Sequence, residues 1–315
     1  MELRHLRYFV AVAEMGHMTR AAAALGIQQP PLSQQIKALE RELGLQLLHR
    51  HPKGVTLSDG GRLLLAEARR LLADVEAMTS RMGRIARGVE GVLAVGFTSS
   101  AAAHAFTPKA LRACRHRFPG IELELSEANA AELTEAVAAG RLHCGFLRVP
   151  VSQPAGVVLE PLLQEPAIVA IPVDHALARP RKADAPIALR DLHGERLILV
   201  RRPGAPGLYA NLLALCAAHG VEPSVVAEVD RMMTNLNLVA SGVGLSVVPA
   251  SMRGVHADAI VYRPLPRDAA LDAPLTLAFR ADRCVGPTAT LVALAREIAR
   301  DEAGPQRPRA RRRRA

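Results

Sequence analysis

AAAALGIQQPPLSQQIKALERELG occupies positions 21–44, and the order of its small, apolar and polar residues decides how the chain begins to fold. The alanine-rich run from Thr19 to Leu25 reads as a helix that stops at Gly26, a residue suited to the turn after a helix. Pro30 and Pro31 open the next helix, where the first-turn N–H groups have no intrahelical partner and proline is tolerated. Leu32, Ile36, Leu39 and Leu43 then recur at four, three and four residues, so one face is buried. Ser33, Gln34 and Lys37 fall on the other face. Two helices joined by a short glycine-containing turn form a helix-turn-helix. Ala21 and Ala22 are small enough to let them approach closely. An ordinary helical bundle with a solvated polar face is the alternative, and the ordered placement of Ala, Gly, Pro, Ser and Gln argues against it.

Outward from this core, Leu6, Phe9, Val10 and the pair Val12-Ala13 give a first helical stripe. After Gly44, the segment from Leu47 to Leu57 fits a two-stranded wing. DNA-contacting candidates are therefore Gln29 and Pro31 at the helix entry, Ser33, Gln34 and Lys37 along it, and Arg50 and Lys53 in the wing. Short and medium polar side chains on a helix can bond base edges, whereas wing cations hold phosphates. Over 58–88, Leu64, Ala68, Leu71, Val75, Met78, Met82 and Ile85 repeat at alternating spacings of four and three. Such a heptad seam predicts a helix that pairs along its length; a single helix packed on its own domain is the alternative. Gly83, Gly88 and Gly91 loosen and then end it.

Beyond Gly91 short apolar runs alternate with alanine-rich helices. Strands are expected at 92–97, 121–126, 143–147, 167–172, 196–200, 225–229, 244–248 and 275–279. Helices are expected at 108–118, 130–139, 208–219, 232–241 and 288–300. The fold class is α/β: an all-α winged helix-turn-helix (1–60), a linker helix (61–90) and a two-lobed domain (91–300). Crossovers near 156–166 and 262–266 divide the last into lobe I (91–162 and 266–300) and lobe II (163–265). A ligand would sit where strand ends from both lobes face one crevice.

The net charge of +10 is gathered at the ends: +4 over 1–90, +2 over 91–300 and +4 over 301–315. This supports a nucleic-acid partner without proving one, since only four of the 40 basic residues are lysine. The arginine-rich tail Arg307 to Arg314 reads as a disordered, solvated run, with auxiliary DNA contact as the alternative. Cys114, Cys144, Cys216 and Cys284 lack the spacing of a disulfide framework or zinc site and read as buried apolar residues; a redox-sensing thiol is the alternative. No apolar run is long enough to span a bilayer, and charged residues interrupt the N-terminal turns where a signal peptide would need an apolar stretch, so a cytoplasmic protein with no membrane partner is expected. Nucleophile-elbow, zincin, Walker and dinucleotide motifs are all missing, so neither an enzyme nor a cofactor or metal is expected.

The ordered series Ala21-Ala22, Leu25-Gly26-Ile27, Gln29 to Ile36, Leu39-Glu40, Leu43-Gly44 and Arg50 resembles the DNA-binding domain of LysR-type transcriptional regulators. The resemblance extends over 1–300. It implies a periplasmic-binding-protein-like effector domain and a homo-oligomer, dimeric through the linker helix and usually tetrameric. It also implies a ligand-responsive activator that acts on promoter DNA and RNA polymerase and often represses its own gene. The effector half is similar to the branch governing benzoate, catechol and chlorocatechol catabolism, through Gly96 to Ser100, Gly140-Arg141-Leu142, Gly145 to Arg148, and 240–251 with its Gly242 to Ser246 core. Ala130 departs from that branch, which often has threonine there. The similarity implies that a hydroxyl at Ser100 and the guanidinium of Arg148 face an organic acid, such as benzoate or muconate. Thr98 and Ser99, at a strand end before a helix, supply further hydroxyls and N–H groups for an anion. Asn129, Arg202 and Asn235 complete the effector-binding candidates.

Overall fold

The computed structural model describes residues 1–148, 153–179, 185–200 and 207–303. The chain forms two compact units, Met1–Arg84 and a second beginning at Ile85.

In the first unit, α1 (Leu3–Met15), α2 (Met18–Ala24) and α3 (Gln29–Leu43) precede a two-stranded wing, β1 (Leu48–His51) and β2 (Gly54–Leu57). Phe9 and Val12 from α1, Ala21 and Ala22 from α2, and Leu32, Ile36 and Leu39 from α3 share one core with Leu47, Leu48 and Val55 of the wing. The turn between α2 and α3 needs Gly26, whose φ of +67° strains any side-chain-bearing residue. Helix α3 starts at Gln29, so the two prolines occupy its second and third positions. The wing is an antiparallel hairpin pairing Leu48 with Leu57 and Arg50 with Val55. At its turn, a Cβ on Gly54 would come within 2.3 Å of the Gly16 carbonyl oxygen, so glycine is required there too.

Helix α4 (Asp59–Ala86) follows. Ala68 is fully buried, Leu64 and Leu65 pack against the core of the first unit, and Arg69 grips Glu14 of α1 through Nε (3.1 Å) and Nη2 (2.7 Å). Leu71, Met78, Met82 and Ile85, from the heptad seam, are exposed along the same helix.

The second unit runs β3 (Glu90–Phe97), α5 (Ser99–Ala102), α6 (Phe106–Arg117), β4 (Gly120–Glu127), α7 (Ala130–Ala138), β5 (Cys144–Arg148), β6 (Val157–Leu163), β7 (Ala167–Pro172), β8 (Arg196–Val200), α8 (Leu208–Ala218), β9 (Ser224–Val229), α9 (Met232–Ala240), β10 (Ser246–Pro249), β11 (Ile260–Pro264), β12 (Leu275–Arg280) and α10 (Gly286–Ala303). One lobe holds a five-stranded sheet in the order β4-β3-β5-β12-β6. The other holds the order β10-β7-β11, joined to the parallel pair β8-β9 through a bridge between Leu197 and Leu245. Central strand β7 shows why its sequence is uniformly apolar. Ala167, Val169 and Ile171 enter one core while Ile168 and Ala170 enter another, so both faces of the sheet are covered. In the first lobe, alternate residues of β12 likewise split: Leu275, Leu277 and Phe279 join the main core and Ala278 faces the smaller one.

The two expected crossovers, 156–166 and 262–266, each take in part of a strand as well as part of a crossing. The first contains β6, an edge strand, where its Pro161 is tolerated. The second overlaps the last residues of β11 (Ile260–Pro264), also an edge strand. The chain crosses at 164–166 and 265–274, with Ala269 and Leu271 still packed in the second lobe's core. The two crossings lie side by side: Ala167 N–H donates to Leu271 O (2.8 Å) and Ala273 N–H to Glu165 O (2.7 Å).

Cys114, Cys144 and Cys216 are buried, but Cys284 is only half-buried, against the expectation for all four. Burial pushes the Cys144 thiol up to about 12, which keeps it protonated and unreactive. Among the described residues no helix is long and apolar enough to cross a membrane. No metal-ligating cluster occurs among them either.

Candidate DNA-reading surface and effector crevice

Burial of Leu32, Ile36 and Leu39 turns the opposite side of α3 outward, leaving Pro31, Gln34 and Lys37 exposed and Ser33 half-buried. Arg50 reaches from β1 to donate from Nη1 to Ser33 Oγ at 3.0 Å. Glu40 makes a second tie: its Oε1 accepts the N–H groups of Leu47 (2.9 Å) and Leu48 (3.1 Å). The wing and α3 are thereby held as one piece. Lys53 is exposed at the wing turn, and Gln29 is exposed at the helix entry, where its Oε1 accepts Thr19 Oγ1 at 3.5 Å. Sequence reading missed Thr19 and Glu40 as positioning residues. The signal for Glu40 was present: a carboxylate four residues before Gly44 is within reach of the unpaired N–H groups where the wing begins.

In the second unit, Thr98 caps α5, its Oγ1 accepting Ala101 N–H (3.3 Å) and lying 3.3 Å from Ser100 Oγ. Thr98 and Ser100 are buried and Ser99 is half-buried. Ser99 Oγ accepts the N–H of Met232, first residue of α9, at 3.3 Å, so a hydroxyl of one lobe caps a helix of the other. The ion pair of Arg231 with Glu132 (3.6 Å) also joins the lobes.

Arg148 ends β5 as expected, yet its guanidinium is already engaged. It pairs with the Glu165 carboxylate, with the two side chains 10% and 7% exposed. It also donates to Ala273 O, Ser100 O (3.3 Å) and Ser251 Oγ (3.1 Å). Glu165 in turn accepts the Ser251 N–H, so one carboxylate in the crossing holds groups from both lobes. Burial pulls the Arg148 guanidinium below its usual value and Glu165 pushes back. His104 lies 3.9 Å from Glu165; burial is the main cause that lowers its pKa, opposed by Glu165 and assisted by Arg148. His104 Nδ1 accepts Phe106 N–H at 3.1 Å, which also favours the neutral ring. Arg148 thus ties the end of β5 to the crossing and to Ser251 of the other lobe. Glu165 and Ser251 were not legible as its partners, because they lie 17 and 103 residues away in sequence with no periodicity to link them.

Asn129 is occupied in capping α7: its Oδ1 accepts Glu132 N–H at 2.9 Å. Asn235 is fully buried among Tyr209 and Ser246 rather than on an open crevice wall. Arg202 and the arginine tail lie outside the described residues.

A winged helix-turn-helix, a long helix and a two-lobed α/β domain are the parts of a ligand-responsive, DNA-binding transcriptional regulator. The family is settled by comparison. The LysR substrate binding domain matches residues 86–300, and the bacterial regulatory helix-turn-helix protein, lysR family, matches residues 3–62. The chain belongs to the LysR family. It is 38% identical over 266 residues to the HTH-type transcriptional regulator BenM of Acinetobacter baylyi (84% of this chain, 86% of the relative). It is 36% identical over 280 residues to the HTH-type transcriptional regulator BudR of Raoultella terrigena (89% and 95%). Among solved structures, CbnR, a LysR family transcriptional regulator, superposes with a TM-score of 0.76 at 30% identity (94% of this chain, 100% of the other). Full-length CbnR complexed with its target DNA gives 0.76 at 29% (95% and 100%).

Proposed function

We propose that the chain is a transcriptional activator that answers to a small organic acid, aromatic or muconate-like, bound between the two lobes. In this assignment 1–60 reads promoter DNA, 61–90 pairs two copies, 91–300 senses the acid across lobes 91–162/266–300 and 163–265, and 301–315 is a basic tail. The observation that carries the reading is the row Thr98-Ser99-Ser100, set at the end of β3 and meeting the first N–H of α9 through Ser99. Hydroxyls and N–H groups there can take a carboxylate in place of the Ser99–Met232 bond. Arg148 supports the row from beneath through Ser100 O; its charge is balanced by Glu165, so it contributes orientation more than net attraction. Similarity to the benzoate and catechol branch supports an aromatic or unsaturated acid.

On DNA, Gln34 and Lys37 face the base edges and Ser33 sits at the helix–wing junction, with Arg50 and Lys53 on phosphates and Gln29 and Pro31 at the entry. A bound acid changes how the protein engages promoter DNA and RNA polymerase. Calorimetric titration with benzoate and muconate tests the sensing half. The reading expects saturable binding and a melting temperature raised by a few degrees, as ligand linkage requires. Binding of neutral compounds with no response to carboxylates contradicts it.

A further inference from the structure

Three ionisable side chains meet where the chain crosses between the lobes. Arg148 ends β5, Glu165 lies in the crossing at 164–166, and His104 sits in the turn between α5 and α6. Their side chains are 10%, 7% and 19% exposed. Arg148 and Glu165 cancel one another, so the trio carries no net charge while His104 is neutral. His104 Nδ1 accepts the N–H of Phe106 at 3.1 Å, which places the single ring proton on Nε2, the nitrogen 3.9 Å from Glu165 Oε2. A second proton has to enter at Nδ1, against that N–H and with the charge of Arg148 nearby. Glu302 of α10 also faces the ring, but Lys109 of α6 already holds its Oε1 at 2.8 Å.

The trio adjoins the hydroxyl row. Arg148 Nη2 donates to Ser100 O at 3.3 Å, and the His104 N–H donates to Ala101 O at 3.2 Å. An acid bound at that row brings a negative charge to a place where Glu165 already offsets Arg148. An uncompensated charge in poorly solvated surroundings is unfavourable, and a nearby group that can take a proton relieves it. Imidazole is the member of the trio whose charge changes near neutral pH under a small perturbation. Once charged, the ring also has a carboxylate partner at hand, since Nε2–H points toward Glu165.

We propose that the effector site is proton-coupled: His104 takes up a proton when an acid binds at Thr98 to Ser100, so the site accepts an anion and a proton together. This rests on the reading that the acid's carboxylate sits at that row. The proton comes from the buffer and enters at Nδ1, releasing the Phe106 N–H. His104 acts through charge rather than contact with the acid. Linkage fixes the sign: an anion whose binding takes up a proton binds more tightly as the pH falls, until the free protein is itself protonated.

The test is calorimetric titration of the full chain with benzoate, or with muconate should benzoate not bind, at about pH 5.5, 6.5 and 7.5. Each titration is run in two buffers of unlike ionisation enthalpy, which reads proton uptake directly. Uptake of a fraction of a proton per acid is expected near pH 6.5. Affinity should rise about threefold or more from pH 7.5 to 5.5, a pKa change of one unit being worth about tenfold. His104→Asn, whose Oδ1 can still accept the Phe106 N–H, should bind the acid with no uptake and no dependence on pH; should that variant not fold, His104→Gln carries the same readout. Equal affinities without uptake, release of protons, or uptake that survives replacement of His104 overturn the inference and leave the acid-sensing reading standing. No binding of either acid at any of the three pH values overturns both.

Discussion

In the proposed reading, Gln34 and Arg50 divide the labour of DNA recognition between them. Gln34 is exposed on α3 with its amide turned away from the core, and a planar amide can make paired bonds to an adenine edge. Replacing it with alanine should weaken binding to the cognate site by roughly 1–3 kcal/mol and leave random DNA nearly unaffected. Fluorescence anisotropy on both DNAs measures the difference, and equal losses would remove Gln34 from the reading role. Arg50 differs because its fork already holds Ser33 at 3.0 Å. Its remaining donors suit a phosphate, so Arg50→Ala should weaken both DNAs alike and reduce the salt-dependence slope by about one. An unchanged slope would show that Arg50 neutralises no phosphate. Both residues were legible as candidates in the sequence: periodicity places Gln34 opposite the buried face of α3, and the segment from Leu47 to Leu57 places Arg50 in the wing. The partners of Arg148 and Asn235 were not, because a buried polar contact between distant segments leaves no local signal.

At the scale of elements, packing explains what the pattern showed and what it hid. Helices α3 and α9 and strand β7 follow directly from period, since each presents apolar residues where a core lies. Edge strands β6 and β11 were not legible, because each lies at a sheet edge and only part of its residues is buried. Helix α10 is fixed to β6 by the pairing of Arg296 with Glu160 (2.7 and 2.6 Å), and the same guanidinium lies 5.9 Å from the centre of the Phe279 ring. The Arg296 bond holds the Glu160 carboxyl below its ordinary 4.5. A depressed carboxyl stabilises the fold above its unfolded value and loses that contribution as pH falls through the folded one. Glu160→Gln should therefore lower the melting temperature at neutral pH, and its gap to the wild type should close as pH drops below about 4.5. A gap independent of pH would assign the loss to packing. Helix α4 raises a different issue, because Leu71, Met78, Met82 and Ile85 lie exposed along it. A second copy of the helix is the natural cover for a heptad seam. Sedimentation velocity should find a dimer or larger assembly for the wild type and a smaller species for Met78→Glu combined with Met82→Glu. A monomeric wild type at micromolar concentration would contradict the pairing role.

For the whole molecule, the border between the units falls at Arg84, inside the last turn of α4, so covalent continuity runs from the DNA reader to the sensor through one helix. Any influence of a bound acid on DNA must be matched by an equal influence of DNA on the acid, because the two equilibria share one cycle. In the paired crossings, Glu165 is bound to Arg148 of one lobe and to Ser251 of the other. Footprinting on DNA upstream of the chain's own gene, with and without saturating aromatic acid, tests this coupling most directly. The account predicts a protected site that Gln34→Ala abolishes and whose boundaries or affinity shift when the acid is added. A footprint identical in both conditions, with the acid shown to be bound, would contradict it.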